Sequence, residues 1–163
     1  MVSVSIVTRP SLSLIGMRVR TSMADAQRDC GALWHTTFCP RMDELAALGN
    51  GDSYGVSWGV DYEAGIFDYW AAMPAPPDVS APAGMARTEL PEGLYAELAV
   101  PSLADLPASY AAIYEEWLPR QKEYAPNFQA PAYELYKNDY NITGSLMLYC
   151  PLKCNDLSRI NKL

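Results

Sequence analysis

From Val2 to Val7 apolar and small polar residues alternate, with Val2, Val4 and Ile6 on one side, which predicts a strand. Pro10 interrupts it, and the extended pattern resumes at Leu12 and Leu14 and runs to Val19. Ser22-x-x-Asp25 reads as a helix start, with the serine accepting backbone amides and an acid in the first turn. Met23, Ala26, Cys30, Leu33, Trp34 and Thr37 follow at spacings of three and four, the stripe of an amphipathic helix. Pro40 ends that helix or opens another, and Met42, Leu45 and Leu48 extend a second short stripe before Gly49-Asn50-Gly51-Asp52 stops it. Tyr54, Val56, Trp58 and Val60 then alternate as a strand, Asp61 to Gly65 turn, and Ile66 to Met73 return, which predicts a hairpin.

Residues 74–83 hold Pro74, Pro76, Pro77 and Pro82 and read as a linker. Beyond it the order of elements repeats. Met85 to Leu90 form a strand, Pro91-Glu92-Gly93 a turn, and Leu94, Ala96, Leu98 and Val100 the next strand. Asp105 caps a helix with Pro107 in its first turn; Leu106, Tyr110, Ile113, Tyr114 and Trp117 supply its stripe, and Pro119 closes it. A long connection containing Pro126 and Pro131 leads to strands at 132–137 and 145–150. Each half therefore reads strand, strand, helix, strand, strand. This predicts an α+β duplication with two antiparallel sheets, two main helices and a pseudo-twofold axis.

At 163 residues the chain suffices for one substantial domain or two small repeats sharing a core. Its 50% hydrophobic and 19% charged residues suit a globular protein. A net charge of −7 excludes a phosphate backbone as the natural partner and favours cations. The N-terminus lacks the continuous apolar core of a signal peptide, and no run approaches the ~20 apolar residues of a membrane helix. The expectation is a cytoplasmic bacterial protein with reduced thiols at Cys30, Cys39, Cys150 and Cys154. Cys30, His35 and Cys39 do not gather on one helix face, and Cys150-x3-Cys154 has no second pair, so no metal or other cofactor is expected.

The candidate chemistry lies in Tyr133-Glu134-Leu135-Tyr136 and Tyr149-Cys150-Pro151-Leu152-Lys153. A carboxylate among aromatic rings suits an organic cation, since each ring adds roughly 0.5–2 kcal/mol when the cation is desolvated. Alternation puts Glu134 and Tyr136 on one face, opposite Tyr133 and Leu135. On the last strand Leu146, Leu148 and Cys150 read as core, which leaves Met147 and Tyr149 on the other face. A hairpin through the Asn138–Gly144 loop is then expected to set Glu134 beside Tyr149 and Met147. Tyr69, with Tyr54 or Trp58, is expected to reach the cleft from the first half, while Trp34 and Phe38 read as core.

Leu33-Trp34, Tyr54-Gly55-Val56, Glu115-Glu116-Trp117-Leu118-Pro119, Ala132-Tyr133-Glu134-Leu135-Tyr136 and Leu148-Tyr149-Cys150-Pro151-Leu152-Lys153 occur together. In these the chain resembles the GyrI-like small-molecule-binding domain. That domain occurs alone, as the effector-binding half of AraC-type transcription regulators, and as the sensor of MerR-type multidrug regulators. The resemblance implies a single stand-alone domain over 1–155, with repeats at about 1–80 and 81–155, a ligand cleft between them, and a tail at 156–163. It carries the family's central acid onto Glu134, the facing strand tyrosine onto Tyr149 and the helix tryptophan onto Trp117. Some multidrug sensors place a second acid where this chain has Met147. The implied function is binding of a cationic, amphipathic, drug-like molecule, for sensing or sequestration. The full expected ligand set is Glu134, Tyr149, Trp117, Tyr136, Met147, Tyr69, Tyr54 and Trp58. Two alternatives accompany it. One is a hydrolase of strained electrophiles, with Glu134 as general base and Tyr149 as proton donor; the other is a protein-binding module acting on DNA gyrase or a regulator. No region that would read DNA is recognised in the chain, so no direct nucleic-acid contact is expected.

Overall fold

The computed structural model describes residues 3–155; Val2 and the expected tail at 156–163 lie outside the described residues. In chain order the strands are β1 (Ser5–Arg9), β2 (Leu12–Ser22), β3 (Ser53–Asp61), β4 (Ile66–Pro74), β5 (Ala86–Leu90), β6 (Gly93–Val100), β7 (Tyr124–Pro126), β8 (Ala132–Tyr136) and β9 (Leu146–Cys154). A first helical run joins α1 (Ala26–Ala32), a π turn (Leu33–Phe38), a 3-10 turn (Cys39–Arg41) and α2 (Asp43–Ala46). A second joins a 3-10 turn (Leu103–Asp105), α3 (Leu106–Ala111), a π turn (Ala112–Trp117) and a 3-10 turn (Leu118–Arg120). Ser22, expected to open the first run, instead ends β2; its hydroxyl accepts the Asp25 amide at 3.2 Å in the turn before α1, and Asp25 is the N-cap. Two short elements escaped the pattern: β7 within the long connection and α4 (Tyr140–Thr143) within the 138–144 loop.

The strands pair antiparallel in the order β1-β6-β9-β8-β3-β4-β2-β5, with β7 on the end of β9. This order reads the same from either end when the two repeats are exchanged, which is the expected pseudo-twofold symmetry. The two expected sheets are halves of one sheet, because β3 and β8 pair and join the repeats edge to edge. In addition, the first strand of each repeat crosses to the other: β1 pairs β6, and β5 pairs β2. Tyr54 pairs Leu135 and Val56 pairs Tyr133, so exchanging the repeats maps one pair onto the other. The axis therefore passes through the remaining pair between them, Gly55 and Glu134.

Two connections force this sheet to fold over. Only Pro10 and Ser11 separate β1 from β2, and only Pro91 and Glu92 separate β5 from β6. Each joins strands six places apart in the sheet order. In a flat sheet six spacings would cover ~29 Å. The three residue steps available reach only ~11 Å. The sheet curls until its ends approach one another.

Curling encloses one face and leaves the other for the helices. The enclosed face carries Tyr54, Val56, Trp70, Tyr95, Tyr133, Leu135 and Tyr149, with Leu14 and Leu90 from the outer strands packed against them. Tyr133 stacks on Tyr149 at 4.9 Å between centroids and meets Tyr95 edge-on at 5.3 Å. Arg9 lies over the Tyr149 ring at 4.5 Å and its Nε donates to the Tyr133 hydroxyl at 3.1 Å. The opposite face carries two clusters. One is built on Ile15, Phe38, Leu45, Phe67 and Tyr69 under the first helical run, the other on Ile113, Leu118, Tyr136, Leu146 and Leu148 under the second. Trp34 touches both. No helix among the described residues is long and apolar enough to cross a membrane.

Tyr133, 2% exposed, stands at the centre of the enclosed rings. Tyr133→Ala is expected to cost about 3–5 kcal/mol in urea unfolding, as for other large-to-small core changes. Tyr133→Phe, which removes only the hydroxyl that Arg9 reaches, should cost about 1 kcal/mol. Equal small losses would mean that this cluster does not hold the curled sheet together.

Candidate functional site

The two helical runs lie side by side on the outer face and leave between them a cleft of about 1920 Å³. Its floor is the middle of the sheet, where the axis emerges. Glu134 points into it from β8, only 4% exposed, with Oε2 buried and without a hydrogen-bond partner. Among the described residues no arginine, lysine or histidine forms an ion pair with it; the ion pairs recorded join other groups, chiefly at the surface. Burial pushes its carboxyl up to about 8; its own backbone amide and the Tyr110 hydroxyl favour the ionised form without offsetting that cost.

Aromatic groups surround the acid. Tyr136 follows it two places on along the same face, and Trp34 meets the Tyr136 ring edge-on at 5.4 Å. Trp34 Nε1 donates to the Tyr69 hydroxyl at 2.9 Å. Tyr110 and Tyr114 enter from the second helical run. Burial, reinforced by the charge of Glu134, raises Tyr69 and Tyr110 well above the ordinary phenol range, so both keep their protons at neutral pH. Cys30, also on the wall, is pushed up to about 12 by burial and then by Glu134, which leaves it a thiol rather than a nucleophile.

Gly55 makes the floor flat. It faces Glu134 across the axis, and a Cβ there would lie 2.1 Å from the Tyr69 hydroxyl and 3.1 Å from Glu134 Oε2. Only a residue without a side chain lets the phenol lie across the strand beside the acid.

Of the expected ligand residues, the structure brings Glu134, Tyr136 and Tyr69 together in the cleft. Tyr149, Met147, Tyr54 and Trp58 are corrected. The β8–β9 register pairs Glu134 with Leu148, and Tyr133 with Tyr149. Residues directly opposite share a face, so Glu134 sides with Leu146, Leu148 and Cys150, while Tyr149 and Met147 belong to the enclosed side. Tyr54 and Trp58 lie on that side too. The same register parts the general base and proton donor of the hydrolytic alternative, setting Glu134 and Tyr149 on opposite sides of the sheet.

Trp117 packs in the second helix-side cluster and does not line the cleft. Its stripe was read at α-helical spacing, but a π turn spends more residues per turn. Tyr110 from α3, with Tyr114 and Leu118 beyond it, lines the cleft, while Trp117 stays half-buried against the Ile113 and Leu118 cluster. The first helical run repeats the shift, with Cys30, Trp34 and Cys39 on the wall and Phe38 completely buried. Sequence reasoning missed Trp34, which it placed in the core, and the cleft role of Tyr110 and Gly55. The legible signals were the i, i+4 pair Tyr110 and Tyr114 and the glycine paired with an acid.

A family model for the GyrI-like small molecule binding domain matches residues 3–153. The chain belongs to this family. Among solved structures, SAV2435 bound to tetraphenylphosphonium shares the fold with TM-score 0.70 at 18% identity, over 93% of this chain and 94% of that one. The C-terminal domain of EcmrR aligns with TM-score 0.64 at 8% identity, over 94% and 98%. A hydrolase from Listeria innocua aligns with TM-score 0.51 at 11% identity, over 92% and 91%. At these identities the likeness is one of fold. No curated protein matches the chain.

Two outcomes follow for the GyrI-like domain without ligand. Gly55→Ala should displace Tyr69, break the Trp34 hydrogen bond and cost roughly 1–3 kcal/mol, read by unfolding and by a shift in tryptophan emission. The folded protein holds the Glu134 proton up to about pH 8, whereas an exposed glutamate releases it near 4.5. Unfolding therefore releases a proton between those values, and stability should fall as pH rises through the window. Urea midpoints at pH 5 and pH 8 should show the fall in wild type and a flatter profile in Glu134→Gln.

Proposed function

We propose that this domain binds an amphipathic organic cation in the cleft, with Glu134 as the counter-charge and Trp34, Tyr69, Tyr110 and Tyr136 as the surrounding π surfaces. The observation that carries the proposal is a buried carboxyl group with an unpartnered oxygen and, among the described residues, no ion-pair partner. Such a group costs free energy in the empty protein. A soft, weakly hydrated cation relieves that cost, supplying charge without needing a shell of hydrogen-bond donors. The rings favour it further through their negative faces. A net charge of −7 draws cations toward the protein at low ionic strength. The tetraphenylphosphonium bound by SAV2435, a protein of the same fold, is a ligand of this chemical kind.

The role that follows from reversible capture is sensing, through a partner regulator, or sequestration. The cleft walls are side chains, most of them apolar, and impose no dense array of directional donors. Shape-tolerant binding of several amphipathic cations is the natural consequence.

Because the empty site is protonated around neutrality, a permanent cation must displace a proton to meet a carboxylate. The dissociation constant of tetraphenylphosphonium should tighten from pH 6 to pH 8 and level off above. The calorimetric enthalpy should vary with the ionisation enthalpy of the buffer, reporting the released proton. Glu134→Gln should weaken binding by at least about tenfold at pH 8 and abolish both dependences. Identical binding by wild type and Glu134→Gln would defeat the assignment of the acid. Tyr149→Phe, on the enclosed side of the sheet, should bind as wild type does.

A further inference from the structure

The fold relates the two ends of the cleft by its pseudo-twofold axis, yet their chemistry differs. At one end the 137–141 segment meets the 50–52 turn, and both are polar. They are laced together: the Asn138 amide donates to Asp52 Oδ1 at 3.0 Å and Asn138 Nδ2 donates to the Asn50 carbonyl at 3.2 Å. At the other end stand the β3–β4 turn and the loop before β8. Each supplies one large aromatic side chain to the cleft, Tyr62 and Phe128. Their rings meet edge-on at 5.3 Å. Among the described residues no hydrogen bond joins these two loops; the turn and the loop bond elsewhere or within themselves.

Tyr62 is 62% exposed and Phe128 68%, and Met23 beside that turn is 54% exposed. Aromatic side chains contribute to stability chiefly by burying their surface, and these two bury little against their own fold. Their backbones are nonetheless held. Asp61 Oδ1 accepts the amides of Glu63 and Ala64 at 3.1 and 3.0 Å, the Met23 amide donates to the Gly65 carbonyl at 2.8 Å, and the Asn127 amide donates to the Pro151 carbonyl at 3.0 Å. Two rings on pinned loops, touching only edge to edge, can part by side-chain rotation alone. The polar end can open only by breaking hydrogen bonds.

We propose that Tyr62 and Phe128 form an aryl-binding subsite, taking a flat aromatic group of the ligand between or against their faces while its cationic centre lies at Glu134. The ligand class narrows accordingly to aryl-substituted cations rather than alkyl ones of equal charge and bulk. This deepens the reading of Glu134 as counter-charge and rests on it.

The test compares tetraphenylphosphonium with tetrabutylphosphonium, which carries the same charge without π faces, on the full chain. Titrations followed by calorimetry would use wild type, the double variant Tyr62→Leu/Phe128→Leu, and Glu134→Gln. Leucine keeps apolar bulk, and both positions are exposed, so the double variant should fold as wild type, checked by its urea midpoint. Its affinity for tetraphenylphosphonium should drop roughly tenfold while that for tetrabutylphosphonium changes less than about threefold. Equal losses for the two probes, or no loss for either, overturn the subsite. In Glu134→Gln both probes should weaken together. If neither does, the counter-charge reading fails, and the preference of that variant for the aryl probe still decides the subsite. Wild type binding neither probe overturns both.

Discussion

Two connections of two residues each, Pro10-Ser11 and Pro91-Glu92, join strands that lie six places apart in the sheet. That mismatch between a short tether and a wide sheet cannot be met by any flat arrangement. The sheet folds over, and its inner face becomes a closed aromatic interior made by the strands alone. Once the strands cover that face themselves, the helices have only the outer face to occupy. Two helical runs do not cover it completely, and the gap above the axis is the cleft. A closed back and an open front follow from one constraint on chain reach.

The axis gives the site its chemistry. On a strand pair crossing a pseudo-twofold, the two residues at the axis face one another and share one small area of floor. Two acids there would repel in a buried setting, and two bulky residues would fill the cleft. Here the pair is Gly55 and Glu134. The glycine yields its space to the Tyr69 phenol, which Trp34 holds from the first helical run. The acid is left with rings around it and, among the described residues, no ion-pair partner. Duplication thus provides a symmetric frame, and divergence at its axis turns the frame into a single polarised site.

The same divergence distinguishes the ends. Polar residues seal one by hydrogen bonds, and aromatic residues line the other without sealing it. The π turns at equivalent places in both helical runs shift which side chains reach the wall. Phe38 and Trp117, at their last positions, pack in the two helix-side clusters, and Trp34 and Tyr114 within them reach the cleft.

Local physics was legible along the chain. Alternation, Pro and Gly punctuation and the helical stripes located the long strands and both helical runs, and the repeat of that order announced the duplication. A lone acid among aromatic residues singled out Glu134, yet charged side chains are seldom buried, and it was the family resemblance, not the local pattern, that implied its central place. What alternation could not decide was which neighbour shared its face. Four of the five residues of β8 are buried, on both sides of the sheet, so hydrophobicity carries no label for either. A loop containing α4 leaves the β8–β9 register free to slip by one residue as far as sequence is concerned. Tertiary pairing chose the register that sets Glu134 beside Leu148 and sends Tyr149 behind the sheet. Strand crossover, curl and the π shift in the helices likewise depend on contacts between residues far apart in sequence, which no local pattern encodes.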